Sequence, residues 1–168
     1  MSAREEIERV AREYGPALRR LAASYERDAA LREDLLQEIL LALLGALPAW
    51  RRECSERTFV YRVAHNRAMS HLARRRQPPE DLARAAKVAD PAPSPETVLT
   101  AAEHRDALFG ALERLPIVHR QILTMALDGL SGKEIADVLG ISENNAGVRL
   151  NRARTALREA MRAARRQP

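Results

Sequence analysis

The chain has 168 residues, with 28 basic and 23 acidic side chains and a formal net charge of +5, enough for one or two small domains, each with a modest apolar core. Its longest apolar run, ILLALLGALPAW from Ile39 to Trp50, is too short to span a bilayer and is broken by Gly45 and Pro48. The charged start MSAREEIERV lacks the apolar core of a secretory signal, so a cytoplasmic chain without membrane insertion is expected. The single cysteine, Cys54, cannot form an internal disulfide. The four histidines, at positions 65, 71, 104 and 119, have no cysteine or acidic partners at ligand spacing, so no metal is expected. No nucleophile–base pair and no phosphate-cradling loop appears either, and neither a catalytic role, a cofactor nor a small-molecule substrate is expected.

In chain order, Ile7, Val10, Tyr14, Ala17, Leu18, Leu21 and Ala22 keep a helical period, interrupted near Gly15-Pro16. A second helix is predicted from about Ala29 to Leu47, with Leu31, Leu35, Leu36, Ile39, Leu40, Leu43 and Leu44 on one wide apolar face and Pro48 as its stop. Its other face carries Arg32, Glu33, Asp34, Gln37 and Glu38. After the polar loop RRECSE, a third helix over about Arg57 to Arg76 buries Phe59, Val60, Val63, Ala64, Ala68 and Leu72. It also carries six arginines among Phe59, Tyr61, His65 and Asn66. Arginines beside aromatics, with Trp50 close in sequence, suit a nucleic-acid strand whose phosphates need countercharge and whose bases stack; a solvated basic face of a core helix fits them equally.

Next comes RQPPEDLARAAKVADPAPSPET, which holds five of the nine prolines. Prolines this dense prevent a continuous helix, so residues 77–101 read as a linker with at most a short helical turn near Leu82 to Val88. The charge distribution agrees: residues 1–76 carry 15 basic against 11 acidic side chains, residues 77–104 carry 2 against 5, and residues 105–168 carry 11 against 7. Two basic blocks flanking an acidic middle are the footprint of a polyanion binder. The second part, 102–168, is predicted to form helices at about 102–114, 116–128, 132–139 and 143–164. Pro116 sits in a first turn and Asp128-Gly129 makes a stop. With no strand alternation anywhere, the fold class is all-α: two small helical domains joined by the proline-rich linker.

The stretch LSGKEIADVLGISENNAGVRLNRAR, Leu130 to Arg154, carries the sharpest local signal. Ser131 followed by Glu134 is a capping box. Ile135, Val138 and Leu139 recur at helical spacing, Gly140 suits a left-handed helix end, and Ser142 caps a second helix. That is a helix-turn-helix, whose second helix enters the major groove with its first residues at base edges. Here those residues are Glu143, Asn144 and Asn145, with Arg149 one turn on; asparagine can bond adenine and arginine guanine through paired contacts. Gly147 within the helix argues the other way, at a cost of about 1 kcal/mol against alanine.

In order, REDLLQEILLAL, then ERTFVYRVAHNRAMSHLARRR, then a linker, then ALERLPIVHRQILTMALDGLSGKEIADVLGISENNAGVRLNRARTALRE resembles the small bacterial sigma factors of the extracytoplasmic-function (ECF) group, from about Tyr14 to Glu159. The resemblance implies a protein that binds core RNA polymerase, directs it to a promoter through a −35 and a −10 element, and helps melt the −10 region. Residues 1–76 would bind the polymerase and the −10 element, and residues 102–168 the −35 element. The family's D-L-x-Q-E element, which docks on the clamp coiled coil of the largest catalytic subunit, falls on Asp34, Leu35, Leu36, Gln37 and Glu38; Asp34, Leu36, Gln37 and Glu38 are the implied contacts.

The −10-reading segment maps to Thr58 through Asn66, with Phe59 where the family usually has tryptophan. Arg62, His65, Asn66, Arg67, Arg74 and Arg75 are the candidates there. The loop Arg51 to Glu56 falls where the family accepts an unstacked base, but its residues differ too much from the usual loop to assign a contact. For the −35 element, Asn144, Asn145 and Arg149 are the base-contact candidates and Arg152 and Arg154 the phosphate candidates; Ser142 would cap or touch a phosphate. An anti-sigma protein, wedged around or between the domains, is a further partner the resemblance implies. A linker of about 25 residues at roughly 3.3 Å each reaches about 80 Å, whereas elements about 16 base pairs apart are separated by roughly 55 Å, so both domains can engage one promoter. Two alternatives stay open: a dimeric helix-turn-helix regulator without polymerase binding, and a sigma-like decoy for an anti-sigma protein.

Overall fold

In the computed structural model residues 3–76 and 101–166 are described, so the linker and the turn expected at Leu82 to Val88 lie outside the described residues. The element order is α1 (Ala3–Tyr25), α2 (Ala29–Ala46), a short 3₁₀ turn (Leu47–Ala49), α3 (Glu56–Arg76), α4 (Ala101–Arg114), α5 (Ile117–Leu127), α6 (Gly132–Leu139) and α7 (Glu143–Arg166). No strand occurs among the described residues, and no helix is long and apolar enough to cross a membrane.

Local chemistry places most of the boundaries. The side chain of Asp28 accepts from the Leu31 N–H at 3.0 Å and starts α2, a cap worth about 1 kcal/mol. Ser55 starts α3, its hydroxyl accepting from the Thr58 N–H at 3.1 Å and donating to the Thr58 hydroxyl at 2.9 Å. Pro116 stands just before α5, one position earlier than a first-turn residue. Its ring sets φ near the helical value, and its missing N–H would have been unbonded there anyway.

The expected break at Gly15-Pro16 is absent: α1 runs through it, with Pro16 inside the helix. An interior proline costs about 3 kcal/mol. On either side of it Val10, Leu18, Leu21 and Ala22 are fully buried, and burying one leucine stabilises by about 1.5–3 kcal/mol. Packing of both halves of α1 therefore outweighs the backbone penalty, and Pro16 itself faces solvent.

The three helices α1 to α3 pack on one another around Leu18, Leu35, Ile39, Leu43, Val60 and Ala64. Helices α4 to α7 pack around Leu112, Ile122, Met125, Ile135, Ala146 and Ala153. The two halves, separate in sequence, also touch: α1 lies against α5 and α3 against α6. The buried residues of both form one continuous apolar cluster.

Candidate nucleic-acid interface

The helix-turn-helix has the predicted chemistry. Ser131 Oγ accepts from the Glu134 N–H at 3.2 Å, and the Ser131 N–H donates to the Glu134 carboxylate at 2.8 Å, completing the capping box. Gly140 ends α6 at φ 66° and ψ 36°, a left-handed conformation that side chains with a Cβ resist. Ser142 Oγ then accepts from the Asn145 N–H at 3.1 Å, so Ser142 serves as the cap of α7. Ala146 and Ala153 face the core and point the opposite side of α7 outward.

On that outer side Asn145, Arg149 and Arg152 follow at i, i+4 and i+7, on one face of a 3.6-residue helix. All three are exposed, as is Asn144 beside them. Arg149 Nε donates to Asn145 Oδ1 at 3.1 Å, a bond within the face that orders both polar heads. Arg154 is also exposed, but nine residues beyond Asn145 it lies half a revolution round the helix. It does not join the other candidates.

The face of α2 is only partly what the sequence suggested. Asp34 and Gln37 are exposed, whereas Leu36 is only 7% exposed and belongs to the core. Leu41, 68% exposed, continues the line of Asp34 and Gln37 one turn on, and Leu44, expected inside, is 40% exposed. Leu41 stands outside the apolar face expected from periodicity, whereas nothing in LLALLGAL, a stretch without a polar side chain, signals the outward turn of Leu44.

Glu38 is turned toward α3. Its carboxylate accepts from Arg74 Nη2 at 2.6 Å, lies 3.0 Å from Arg67 Nε, and stands 3.5 Å from His71 Nδ1. Partial burial works to raise its pKa, but the hydrogen bond and charge of Arg74, with His71 and Arg67, prevail and hold it below the usual carboxylate range. Beside it the buried Glu26 pairs with Arg75. Three of the six −10 candidates, Arg67, Arg74 and Arg75, are thus engaged with acids of α2 or the α1–α2 turn. A fourth, His65, is half-buried, and its Nδ1 is hydrogen-bonded to the Tyr25 hydroxyl. Burial lowers the His65 pKa and raises that of Tyr25, so the ring is neutral and the phenol keeps its proton. Asn66 is exposed and Arg62 half-buried.

The loop before α3 is braced from two sides. Trp50 stacks on Phe59 with ring centroids 5.8 Å apart and 27° between planes, and the Arg52 guanidinium lies over the indole at 5.9 Å. Phe59 thus has an aromatic neighbour in Trp50, a contact the linear sequence left open. From the other side Arg9 of α1 grips Glu56 with two bonds of 2.9 and 2.7 Å. Arg9 holds the Glu56 carboxyl below its ordinary range, while burial, together with Glu56, pushes the Tyr14 phenol up to about 12.

Polar contacts among the described residues join the halves. Arg57 of α3 holds Glu134 of α6, with Nη2 at 2.9 and 2.7 Å from the two carboxylate oxygens. Asp128, after α5, accepts from Arg20 Nε at 2.6 Å and from the Tyr61 hydroxyl at 2.7 Å. Gln121 Nε2 approaches Met69 Sδ at 3.9 Å. Next to these contacts a largely apolar cleft of about 480 Å³ opens between α1, α4 and α5. Phe109 and Leu127 line it half-exposed, and Arg120 lines it buried.

Similarities to known proteins follow the same division. Residues 10–77 match the Sigma-70 region 2 family and residues 105–157 the Sigma-70 region 4 family. The ECF RNA polymerase sigma-E factor of Escherichia coli K12 is 31% identical over 134 residues, 74% of this chain and 70% of that protein. The probable RNA polymerase sigma factor RfaY of Xanthomonas campestris is 31% identical over 144 residues, 82% of this chain and 36% of that protein.

Two solved structures share the fold. CnrH in complex with the cytosolic domain of CnrY has a TM-score of 0.66 at 21% identity, covering 95% of this chain and 90% of CnrH. RpoE in complex with the anti-sigma factor NepR from Bartonella quintana has a TM-score of 0.72 at 20% identity, covering 94% and 98%. With both sigma regions matched in order on a helix-turn-helix of the expected geometry, the chain belongs to the extracytoplasmic-function group of RNA polymerase sigma factors.

Proposed function

We propose that the chain recruits core RNA polymerase to a two-part promoter in the cytoplasm, through three faces. Asp34 and Gln37, extended by Leu41 and Leu44, dock on the polymerase. α3 and the 50–56 loop meet the −10 element, and Asn144, Asn145, Arg149 and Arg152 of α7 read the −35 element. The chain supplies recognition and help in melting, while RNA synthesis stays with the polymerase. The observation that carries this reading is the capped helix-turn-helix, which presents Asn145, Arg149 and Arg152 in line on an exposed face. Asparagine and arginine suit paired contacts to bases, and a second arginine suits phosphate.

An anti-sigma protein is the further partner we assign. The cleft between α1, α4 and α5 offers Phe109 and Leu127 to an apolar side chain, and filling it would hold the halves together.

Co-elution with core polymerase tests the docking face. Asp34→Arg with Gln37→Ala is the informative variant, because both residues are exposed, whereas Glu38 is tied to Arg67 and Arg74 and its replacement would disturb the fold. The wild type should co-elute and the variant should not. A wild type that fails to co-elute while still binding DNA as a dimer would support the stand-alone regulator instead.

A further inference from the structure

Val148 is an apolar side chain on a face of α7 that is otherwise polar. It is 42% exposed, and among the described residues it takes no part in the apolar cluster that Leu139, Ile141 and Leu150 join. At about 100° per residue, it points roughly 160° away from Ala146 and about 140° away from Ala153, both of them buried. Asn144 and Arg152 lie one turn before and after it, Asn145 stands about 60° round the helix, and Arg149 follows directly. The residues assigned above to the −35 element therefore surround a branched, apolar side chain at the middle of their face. Local stability does not account for it, because valine is stiff at χ1 and a poorer helix former than alanine.

The chemistry of the groove does account for it. A helix in the major groove meets hydrogen-bond acceptors, hydrogen-bond donors and the C5 methyl of thymine. Valine can bond to neither a donor nor an acceptor, and set against one it would strip that group of water without replacing the bond. Against a thymine methyl it forgoes no hydrogen bond and buries apolar surface on both sides. Access agrees with this. The bond from Arg149 to Asn145 draws those two polar heads together along one flank and leaves the valine uncovered. Gly147, exposed beside it, carries no side chain to hold the helix away from the bases, and so short a side chain as valine needs that close approach.

We infer that Val148 sets base specificity in the −35 element by packing on the methyl of one thymine, flanked by the base pairs that Asn144, Asn145 and Arg149 contact. The inference rests on the sigma-factor reading for the entry of α7 into the −35 groove. It adds a base that the polar residues of the face do not select.

The test uses the full chain assembled with core RNA polymerase and a pool of promoter duplexes randomised across the −35 element. The wild type should enrich thymine at one position. Val148→Ala, too short to reach a base from the same backbone position, should lose that preference and keep the others, and Val148→Asn should move it toward adenine. On the duplex that the wild type selects, deoxyuridine in place of that thymine removes the methyl alone. Binding of the wild type should then weaken about fourfold, as expected for one buried methyl-sized group, while Val148→Ala should bind the two duplexes almost equally. A merely structural role for Val148 would lower the melting temperature and leave thymine and uracil equivalent. Equal binding of the two duplexes by the wild type, or a thymine preference that survives in Val148→Ala, overturns the inference. A chain that joins the polymerase but enriches no −35 sequence, or that does not join it, overturns the proposed function and this inference with it.

Discussion

The two halves carry similar residue types toward the same kind of partner, but hold them differently. In α1–α3 four arginines are paired with acids of neighbouring elements: Arg67 and Arg74 with Glu38, Arg75 with Glu26, Arg9 with Glu56. In α7, Asn144, Asn145, Arg149 and Arg152 stand exposed, and the bond between Asn145 and Arg149 lies within the face proposed to read the −35 element. A side chain held by a buried or half-buried acid contributes to folding and must exchange partners to bind. An exposed one on a capped helix is ready without rearrangement, so substitutions in α7 report on binding, whereas those on α3 report on binding and stability together.

The largest effect should come from asking whether the halves are one cooperative unit. Ile135 is completely buried in α6, and Ile135→Ala should cost about 2–5 kcal/mol. Calorimetry of the wild type should show one transition, because α1–α5 and α3–α6 packing couples the halves. The variant should split it, with α4–α7 melting first; a wild type that already melts in two steps would break the coupling. Next in size, Arg149→Ala should weaken binding to a −35 site by about 1–3 kcal/mol in a fluorescence titration, with an unchanged melting temperature.

On the other side of the comparison, Glu38→Gln should lower stability by about 1 kcal/mol, since it replaces a charge-assisted pair by a neutral one at a partly exposed site. Chemical denaturation would measure it, and a variant as stable as the wild type would mean that the Arg67 and Arg74 contacts are idle. The His65–Tyr25 pair gives the same half a pH dependence. Burial holds the folded-state pKa of His65 below its ordinary 6.5, so protonation favours the unfolded chain. Its stabilisation is present above pH 6.5 and is lost as the pH falls through the depressed value. Melting temperature should decline on acidification across that range, and less so in His65→Gln, which keeps a hydrogen-bonding partner for Tyr25 but does not titrate. The smallest change has the opposite sign: an added Cβ at Gly147 meets nothing within 4 Å, so Gly147→Ala should stabilise α7 by up to about 1 kcal/mol, seen as a small rise in melting temperature.

Where a feature depended on residues close in sequence, it was legible beforehand. The capping box of Ser131 and Glu134, the turn at Gly140, the Ser142 cap and the ends of α5 and α6 need only neighbours within a few positions. Helical periodicity placed Asn145 and Arg149 one turn apart for the same reason, and the identical count separates Arg154 from them. The fate of Pro16 was not legible, because its local penalty is set against burial of Val10, Leu18 and Leu21 by helices that arrive later in the chain. Nor were the partners of Glu38 and His65, which lie 36 and 40 residues from Arg74 and Tyr25 respectively. The outward turn of Leu44 was equally hidden, since a helix end apolar on all sides acquires an inside only when something packs on it.

By itself, then, the sequence determined an all-helical chain in two basic parts, its helix-turn-helix and the family resemblance, because those properties follow from local hydrogen bonding, periodicity and the order of motifs. Only the tertiary structure decided which charged groups are free and which are held, and that Asp128 and Glu134 join the halves. Those outcomes depend on contacts between residues far apart in the chain, 36 positions for Glu38 and Arg74 and 67 to 108 for the partners of Asp128 and Glu134, whose pairing is selected by the packed shape of the helices and by the cost of leaving a buried carboxylate unsatisfied.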